Sequence, residues 1–165
     1  VMILGYTSNL LNPSVVWDNQ LFIESDILYV LNKLNTKNIA IKFKNGPKQF
    51  TVQQKRNLID YKKIIKKKYN LDIKNINVEF IHERELNEVI YDTKLLIGQI
   101  STAIIESLHI RTPFIIYEPS ISGTPKEIIE TSKIYSKENV AKDIIELEDM
   151  ILNKKSSLEI SKDLL

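Results

Sequence analysis

Amide and hydroxyl side chains follow a short apolar run near the middle of the chain. The apolar residues 95–97 precede Gly98, Gln99, Ser101 and Thr102, and a segment with helical spacing comes next. A serine or threonine at a helix start can accept a free backbone amide, so Ser101 or Thr102 could cap this helix. Gly98 can take the backbone geometry of a sharp turn. A strand, a polar turn and a helix start leave amides free for a phosphate or a carboxylate. The same residues also suit an ordinary strand–helix junction, because no glycine-rich fingerprint accompanies them.

Other polar residues follow other apolar runs, at the places where the strands of a parallel sheet would end. Ligands of such a sheet bind beyond the carboxyl ends of its strands. The residues selected by this rule are Gly5, Tyr6, Thr7, Lys42, His82, Gln99, Ser101, Thr102 and Glu118. They combine small hydroxyls, a helix start, a lysine and an isolated carboxylate. The set therefore suits an anionic ligand with hydroxyl groups, in which the helix start takes a phosphate and the glutamate takes a ribose diol.

Each of these candidates also has a plainer explanation. Glu118 could be a solvated loop residue, and a histidine at a strand end, such as His82, is often a structural hydrogen-bonding group. Lys42 could reach solvent through its flexible stem. His109 should lie on the far side of its helix, and we give it no role.

Several chemistries lack the residues that they need. The chain has no cysteine, which excludes disulfides, thiolate catalysis and cysteine metal sites. Its two histidines have no paired metal-ligand spacing, so we expect no metal and no cofactor. Phosphate-loop, dinucleotide and nucleophile-elbow motifs are absent from the sequence. The net charge of +2 and the few aromatic residues give no support to a nucleic-acid partner.

The length and composition favour one globular α/β domain. The chain has 165 residues, of which 43% are hydrophobic and 27% charged, and a chain of this size can bury a real core. No apolar run approaches the ~20 residues that a membrane-spanning helix requires. The first residues lack the pattern of a signal peptide, and we expect a cytoplasmic protein. A chain that starts on a strand residue, Val1, also suggests a piece of something longer.

Short apolar runs alternate with helical patterns along the chain. We predict strands at residues 1–6, 39–43, 77–82, 95–98 and 113–117, a marginal strand at 133–135, and helices at 19–34, 53–69, 85–91, 101–110, 138–152 and from 124 onward. This alternation is typical of a parallel sheet that is covered on both faces. We therefore predict a Rossmann-like, doubly wound α/β domain over residues 1–153, with about six strands in the order 3-2-1-4-5-6. Residues 154–165 would form a helical tail or a crossover segment.

The predicted helix over residues 53–69 carries a dense run of lysines. Its apolar side would consist of Leu58, Tyr61, Ile65 and Tyr69, and its charged part of Lys62, Lys63, Lys66, Lys67 and Lys68. Such a run is either a solvated face or a surface that is attracted to an anionic membrane. Peripheral contact with the inner face of a membrane is therefore one of our expectations.

One longer pattern of residues runs from Asp92 to Glu118. It comprises the acidic residue, an apolar strand, the hydroxyl turn, a helix with Glu106 inside it, and the run Pro113-Phe-Ile-Ile-Tyr-Glu. This pattern resembles the C-terminal donor half of GT-B glycosyltransferases. That group includes bacterial capsule and surface-polysaccharide transferases, sialyltransferase-like enzymes and the CDP-glycerol glycerophosphotransferases. Residues 39–43, with Pro47 soon after, resemble a degraded version of the family strand that ends in Lys-x-His-Pro, although the histidine is missing here.

The resemblance implies one half of a GT-B fold that binds a CMP-, UDP- or CDP-linked sugar for bacterial surface polysaccharide biosynthesis. In that family Ser101 and Thr102 would hold the donor phosphate, and Gln99 would line the same turn. Glu118 would contact ribose or sugar hydroxyls, and His82 would lie near the base or phosphate. Such enzymes need no bound metal, because a helix dipole and positive side chains stabilise the leaving phosphate.

The resemblance also implies a missing part. A GT-B active site lies between two Rossmann-like domains, so the chain would require an N-terminal acceptor domain or a partner chain and would transfer nothing alone. Two other classes of function fit the sequence. One is a different enzyme on the same half-fold, either a nucleotide-sugar epimerase or a glycerophosphotransferase. The other is a non-enzymatic, flavodoxin-like module that docks a protein partner, and a cleft filled by side chains at the ends of strands one and four would favour it.

Overall fold

Six parallel strands form the centre of the molecule. A computed structural model describes residues 1–5, 13–43, 58–74, 77–81, 84–99, 101–122 and 138–153, with the backbone alone for residues 13–18 and 102. The strands are β1 (Met2–Gly5), β2 (Ile39–Phe43), β3 (Val78–Ile81), β4 (Leu96–Gly98), β5 (Phe114–Tyr117) and β6 (Val140–Ala141). Their order is β3-β2-β1-β4-β5-β6, and every neighbouring pair is parallel. The predicted Rossmann-like, doubly wound α/β topology is therefore confirmed.

Helices cover both faces of this sheet. Those that lie within the described residues are α1 (Pro13–Lys33), α2 (Leu58–Tyr69), α3 (Leu86–Val89), a 3-10 turn (Ile90–Asp92), α4 (Thr102–Ile110) and α5 (Ile144–Leu152). One apolar core joins α1, α2 and α5 to the sheet through residues such as Ile27, Tyr61 and Leu147. A second core joins α3 and α4 to the other face through Val89 and Ile104. None of the helices in the described ranges is long and apolar enough to cross a bilayer.

The residues of β5 show why its sequence is apolar throughout. Phe114 and Ile116 belong to the core on the α4 side, whereas Ile115 and Tyr117 belong to the core on the α1 side. Side chains alternate along a strand, and both faces of this sheet are covered, so neither set can be polar. The pattern expected for a buried parallel strand is therefore met at every position of β5.

The sixth strand lies later in the chain than we predicted. We placed a marginal strand at residues 133–135, which lie outside the described residues, and a helix from Glu138 to Leu152. Instead, Val140–Ala141 forms β6 beside β5, and the helix α5 begins only at Ile144. The predicted helix start at Glu138 was wrong, because Val140 also fits the helical spacing of the residues that follow it.

A capping signal marks the true start of α5. The Asp143 carboxylate accepts hydrogen bonds from the amides of Ile145 at 2.8 Å and Glu146 at 2.9 Å. In return, the Glu146 carboxylate accepts a bond from the Lys142 amide at 2.8 Å. An acid at the cap and another three residues later form the usual signature of a helix start. These two acids were the sequence signal that could have located the end of β6.

The helix α1 begins at Pro13, earlier than the predicted start at Asn19. Proline suits the first helical position, because the amide that it lacks would have no partner there. Its apolar stripe of Ile23, Ile27 and Val30 is buried as predicted.

A buried carboxylate on α1 holds three separate elements together. Asp26 is only 3% exposed. It accepts a hydrogen bond from Lys68 Nζ at 2.7 Å and from the hydroxyls of Tyr69 at 2.6 Å and Tyr117 at 3.0 Å. We call these four residues the Asp26 cluster. Burial raises the pKa of both tyrosine hydroxyls, and the carboxylate that accepts their hydrogen bonds raises it further. The cluster therefore links α1 to the end of α2 and to β5.

Two glycines allow neighbouring strands to approach closely. A Cβ atom added to Gly98 would lie 2.7 Å from Leu4 Cβ, and one added to Gly5 would lie 2.7 Å from the Phe43 ring. Both distances are far below van der Waals contact, so each position excludes a side chain. We expected Gly98 to serve a sharp turn, but the observed constraint is its packing against β1.

Candidate functional site

The carboxyl ends of β1, β4 and β5 meet at one edge of the sheet. Ile3 lies opposite Ile97, and Gly98 lies opposite Ile116. Neighbouring strands are about 4.8 Å apart. The residues that follow these strands, among them Gln99 and Glu118, therefore lie along the same edge as Gly5. We call it the carboxyl edge.

Ser101 stands at the start of α4 on this edge. It is the N-cap residue, with an extended backbone (φ −161°, ψ 168°), but its side chain makes no capping hydrogen bond. Its Oγ atom is buried and has no hydrogen-bond partner within the part of the chain that the structure describes. We expected a serine or threonine oxygen to accept a helix amide here, and Ser101 does not do so. A buried hydroxyl without a partner is unfavourable, and a ligand that reached this oxygen would satisfy it.

The free amides at the start of α4 add to this arrangement. The first turn of a helix leaves amides without partners inside the helix, and the dipole makes that end positive. In α4 the Ile104 amide already donates to the Ser101 carbonyl at 3.0 Å, so the amides before Ile104 are the ones that a ligand would meet. The nine residues of α4 are enough to form such an end. A phosphate oxygen placed there would meet both the amides and the Ser101 hydroxyl.

Glu118 follows β5 and is buried, with only 5% of its surface exposed. Its amide still donates a hydrogen bond to the Ala141 carbonyl at 2.9 Å, so the backbone continues the register with β6. The alternation along β5 places Glu118 on the side of α4. The explanation that Glu118 is a solvated loop residue is therefore wrong.

Two amide side chains of α1 contact the loops of the carboxyl edge. Gln20, which is buried, donates a hydrogen bond from Nε2 to Gln99 Oε1. Asn19 donates from Nδ2 to the Ile121 carbonyl at 3.2 Å. One turn of α1 is thus bonded both to the turn after β4 and to the loop after β5. Our reading of the sequence missed both residues, because no local spacing connects them to partners so far along the chain.

Lys42 lies away from Ser101. Its ammonium donates a hydrogen bond to the Phe43 carbonyl and is buried at the end of β2. Burial lowers the pKa of Lys42, and the carboxylates of Glu85 and Glu88 oppose this shift. Because β1 separates β2 from β4, the two strand ends are about 10 Å apart. A direct role for Lys42 in holding the donor remains a prediction.

The remaining candidates cannot be placed. Tyr6, Thr7 and His82 lie outside the described residues, and for Thr102 the structure describes the backbone alone. Their roles remain predictions. His109 is exposed, and its Nδ1 lies 2.9 Å from the carbonyl oxygen of Ile105, so it faces away from the sheet as expected. Among the described ranges, no three histidine, aspartate or glutamate side chains are grouped in a way that could hold a metal ion.

A separate cavity lies at the opposite edge of the sheet. Its volume is about 380 Å³, and its lining includes Val1, Asn38, Asn77, Glu79 and Arg84. These residues lie near the starts of β1, β2 and β3 and the segment that leads into α3. The cavity therefore does not belong to the carboxyl edge, and its lining presents both a carboxylate and a guanidinium.

Comparisons with known proteins give little further information. No family model and no curated protein matches the chain. Among solved structures, the chain is similar to the crystal structure of TarM, with 18% sequence identity and a TM-score of 0.46. The match covers 97% of this chain and 29% of TarM, so the chain spans less than a third of that protein. The Rossmann-like architecture is established by the strand order and register described above.

Proposed function

We propose that this chain is the donor-binding half of a metal-independent glycosyltransferase that acts in bacterial surface polysaccharide biosynthesis. The observation that carries the proposal is the buried Ser101 hydroxyl, which has no hydrogen-bond partner among the described residues, at the N-terminus of α4. Two features support it. Glu118 is buried on the same edge of the sheet, and the pattern from Asp92 to Glu118 resembles the donor half of GT-B enzymes.

Each group at the carboxyl edge would have a distinct role. The Ser101 hydroxyl and the first amides of α4 would donate hydrogen bonds to the donor phosphates. The positive end of the helix would stabilise the negative charge that develops on the leaving nucleoside diphosphate, and this charge stabilisation requires no metal. The Glu118 carboxylate would accept hydrogen bonds from a ribose or sugar diol, since an ionised carboxylate is a strong acceptor.

Gln20 would act as a positioning residue. Its hydrogen bond to Gln99 fixes the turn that leads into Ser101, and Asn19 holds the loop after Glu118 through the Ile121 carbonyl. Together they would set the separation between the phosphate-binding and diol-binding ends of the site. The base that activates the acceptor would come from the second half of the enzyme.

Isothermal titration calorimetry with CMP, UDP, CDP and GDP tests this function. We expect at least one nucleotide to bind the wild-type chain, and Ser101→Ala to weaken that binding roughly 10- to 100-fold, as the loss of a hydrogen bond to a charged group would do. The matched control is Ser107→Ala in the same helix. The Ser107 hydroxyl is also buried, but it donates to the Ile104 carbonyl at 2.6 Å and lies away from the helix start.

Thermal unfolding separates the two substitutions further. The Ser101 side chain makes no capping bond and its buried hydroxyl has no partner among the described residues, so Ser101→Ala should leave the melting temperature of the free chain unchanged or raise it. Ser107→Ala should lower the melting temperature and keep nucleotide affinity. Equal nucleotide binding by wild type and Ser101→Ala, or no binding by either, would contradict the proposed site.

A further inference from the structure

The exposed side of α2 forms a continuous basic surface. It consists of Ile59, Lys62, Lys63, Lys66 and Lys67, which we call the lysine face. These positions recur at the spacing of one helical face, while Tyr61 and Ile65 are buried on the opposite side of the helix. Because α2 has 12 residues, the face extends for about 18 Å.

The charge of this region differs from that of the rest of the chain. Residues 58–74 contain six lysines and two aspartates, a net charge of +4, whereas the whole chain has a net charge of +2. The remaining residues therefore carry a net negative charge. Lys68 is excluded from the lysine face because the buried Asp26 carboxylate holds its ammonium.

The lysine face is weakly neutralised. Lys63 and Lys67 form no hydrogen bond or ion pair with any residue in the described ranges, and both are exposed. Lys66 lies 3.7 Å from Asp72, but both side chains are 65% exposed, and such a pair is weak. Lys62 donates to the Lys74 carbonyl at 3.0 Å, which satisfies a hydrogen bond without cancelling the charge.

The composition of the face indicates the chemistry of its partner. All of its charged residues are lysines, which act as point charges and suit a diffuse anionic surface. Ile59 is an apolar side chain that is 57% exposed on the same face. The lysine face has no aromatic side chain and no arginine. Proteins that bind single-stranded nucleic acids use such side chains to stack against the bases. We propose that the lysine face binds the surface of an anionic lipid bilayer, with Ile59 entering the interface.

The position of α2 is compatible with the proposed donor site. Tyr61 and Ile65 pack into the core on one side of the sheet, and Ile104 of α4 packs into the core on the other side. A bilayer in contact with α2 therefore does not cover the start of α4. The proposal does not depend on the proposed function, since it requires no nucleotide.

Vesicle co-sedimentation tests the lysine face. Wild type should sediment with vesicles of phosphatidylcholine mixed with phosphatidylglycerol and should remain in solution with phosphatidylcholine alone. Each lysine near an anionic surface strengthens binding about fivefold. The triple variant Lys63→Gln, Lys66→Gln, Lys67→Gln should therefore bind roughly a hundredfold more weakly.

The matched control removes the same charge elsewhere. Lys37, Lys94 and Lys142 are exposed and lie outside α2, so replacing all three with glutamine should leave most of the binding intact. Ser101→Ala should also bind vesicles as wild type does, which separates this test from that of the nucleotide site. Circular dichroism of the variants confirms that each one is folded.

Four results would overturn the proposal. The first is a failure of the wild type to bind anionic vesicles, and the second is equal binding to neutral vesicles. The third is an equal loss of binding in the two triple variants, which would indicate a response to net charge alone. The fourth is tighter binding of the wild type to a single-stranded RNA oligonucleotide, through the same lysines, than to vesicles.

Discussion

At the scale of the residue, Gly5 and Ser101 show two different reasons for a residue type at the carboxyl edge. Gly5 is constrained by packing, because an added Cβ would lie 2.7 Å from the Phe43 ring. Ser101 lacks a comparable structural reason, since its hydroxyl makes no bond within the described residues. The sequence predicted both positions from strand ends. The sequence could not show that the two positions have different reasons for their residue types, because the neighbour that constrains Gly5 is Phe43, on another strand.

The packing of Gly5 leads to a prediction about stability. Gly5→Ala should lower the free energy of unfolding by about 1–3 kcal/mol, because the new methyl group overlaps a buried ring. Phe43→Leu removes the ring and should also destabilise the chain. The double variant should be more stable than the sum of the two losses predicts, with a coupling of about 1 kcal/mol.

Urea unfolding of the four proteins in this cycle measures that coupling. If the changes in the free energy of unfolding are strictly additive, contact with the Phe43 ring is not the reason for a glycine at position 5. Gly5 would then be free for the role expected from the sequence, that of a ligand-site residue at the end of the first strand.

At the scale of the element, the Asp26 cluster joins α1, α2 and β5 through one carboxylate. No local pattern predicts it, because a single aspartate in a helix is usually on the surface. Apolar spacing located α1 and α2, but it could not show that Asp26 faces the interior. Local patterns also failed to locate β6, because its two residues are too few to give an alternating pattern.

The two tyrosines of the cluster give the protein a dependence on alkaline pH. Burial raises the pKa of Tyr69 and Tyr117 above the ordinary value of 10.0. Above about pH 10 these hydroxyls ionise in the unfolded chain but keep their protons in the folded one. The unfolded state then binds fewer protons, so the free energy of unfolding should fall as the pH rises beyond 10.

Chemical denaturation from pH 8 to pH 11 checks this effect. The double variant Tyr69→Phe, Tyr117→Phe should be less stable at pH 8 and should lose less stability above pH 10. Tyr91→Phe is the control, because Tyr91 is 74% exposed, and its pH profile should follow that of the wild type. A double variant with the wild-type slope would show that these hydroxyls do not govern the alkaline loss.

At the scale of the whole molecule, the alternation of apolar runs and helical patterns was sufficient to predict a parallel sheet covered on both faces. Crossovers between parallel strands are nearly always right-handed, so few arrangements remain. The predicted strand order was the one typical of a Rossmann-like sheet. The carboxyl edge followed from the same argument. The contacts of Gln20 and Asn19 could not be predicted in this way, because they depend on how α1 packs against loops far along the chain.

The proposed function predicts that donor binding and catalysis require different halves of an enzyme. This chain alone should bind a nucleotide but transfer no sugar, because the acceptor and the catalytic base would belong to the other half. Incubation with CMP-, UDP- and CDP-linked sugars and a polysaccharide acceptor, followed by mass spectrometry, measures the transfer. Nucleotide binding by the same sample confirms an intact site. Efficient transfer by this chain alone would contradict the assignment.

The Asp26 cluster also bears on the order in which the molecule assembles during synthesis. Asp26, Lys68 and Tyr69 leave the ribosome long before Tyr117, which is 91 residues further along the chain than Asp26. Until β5 has been synthesised, this carboxylate can have its lysine and one hydroxyl at most. The packing around Asp26 can therefore be completed only once β5 is present, so the N-terminal part of the chain depends on the C-terminal part for its full set of native contacts.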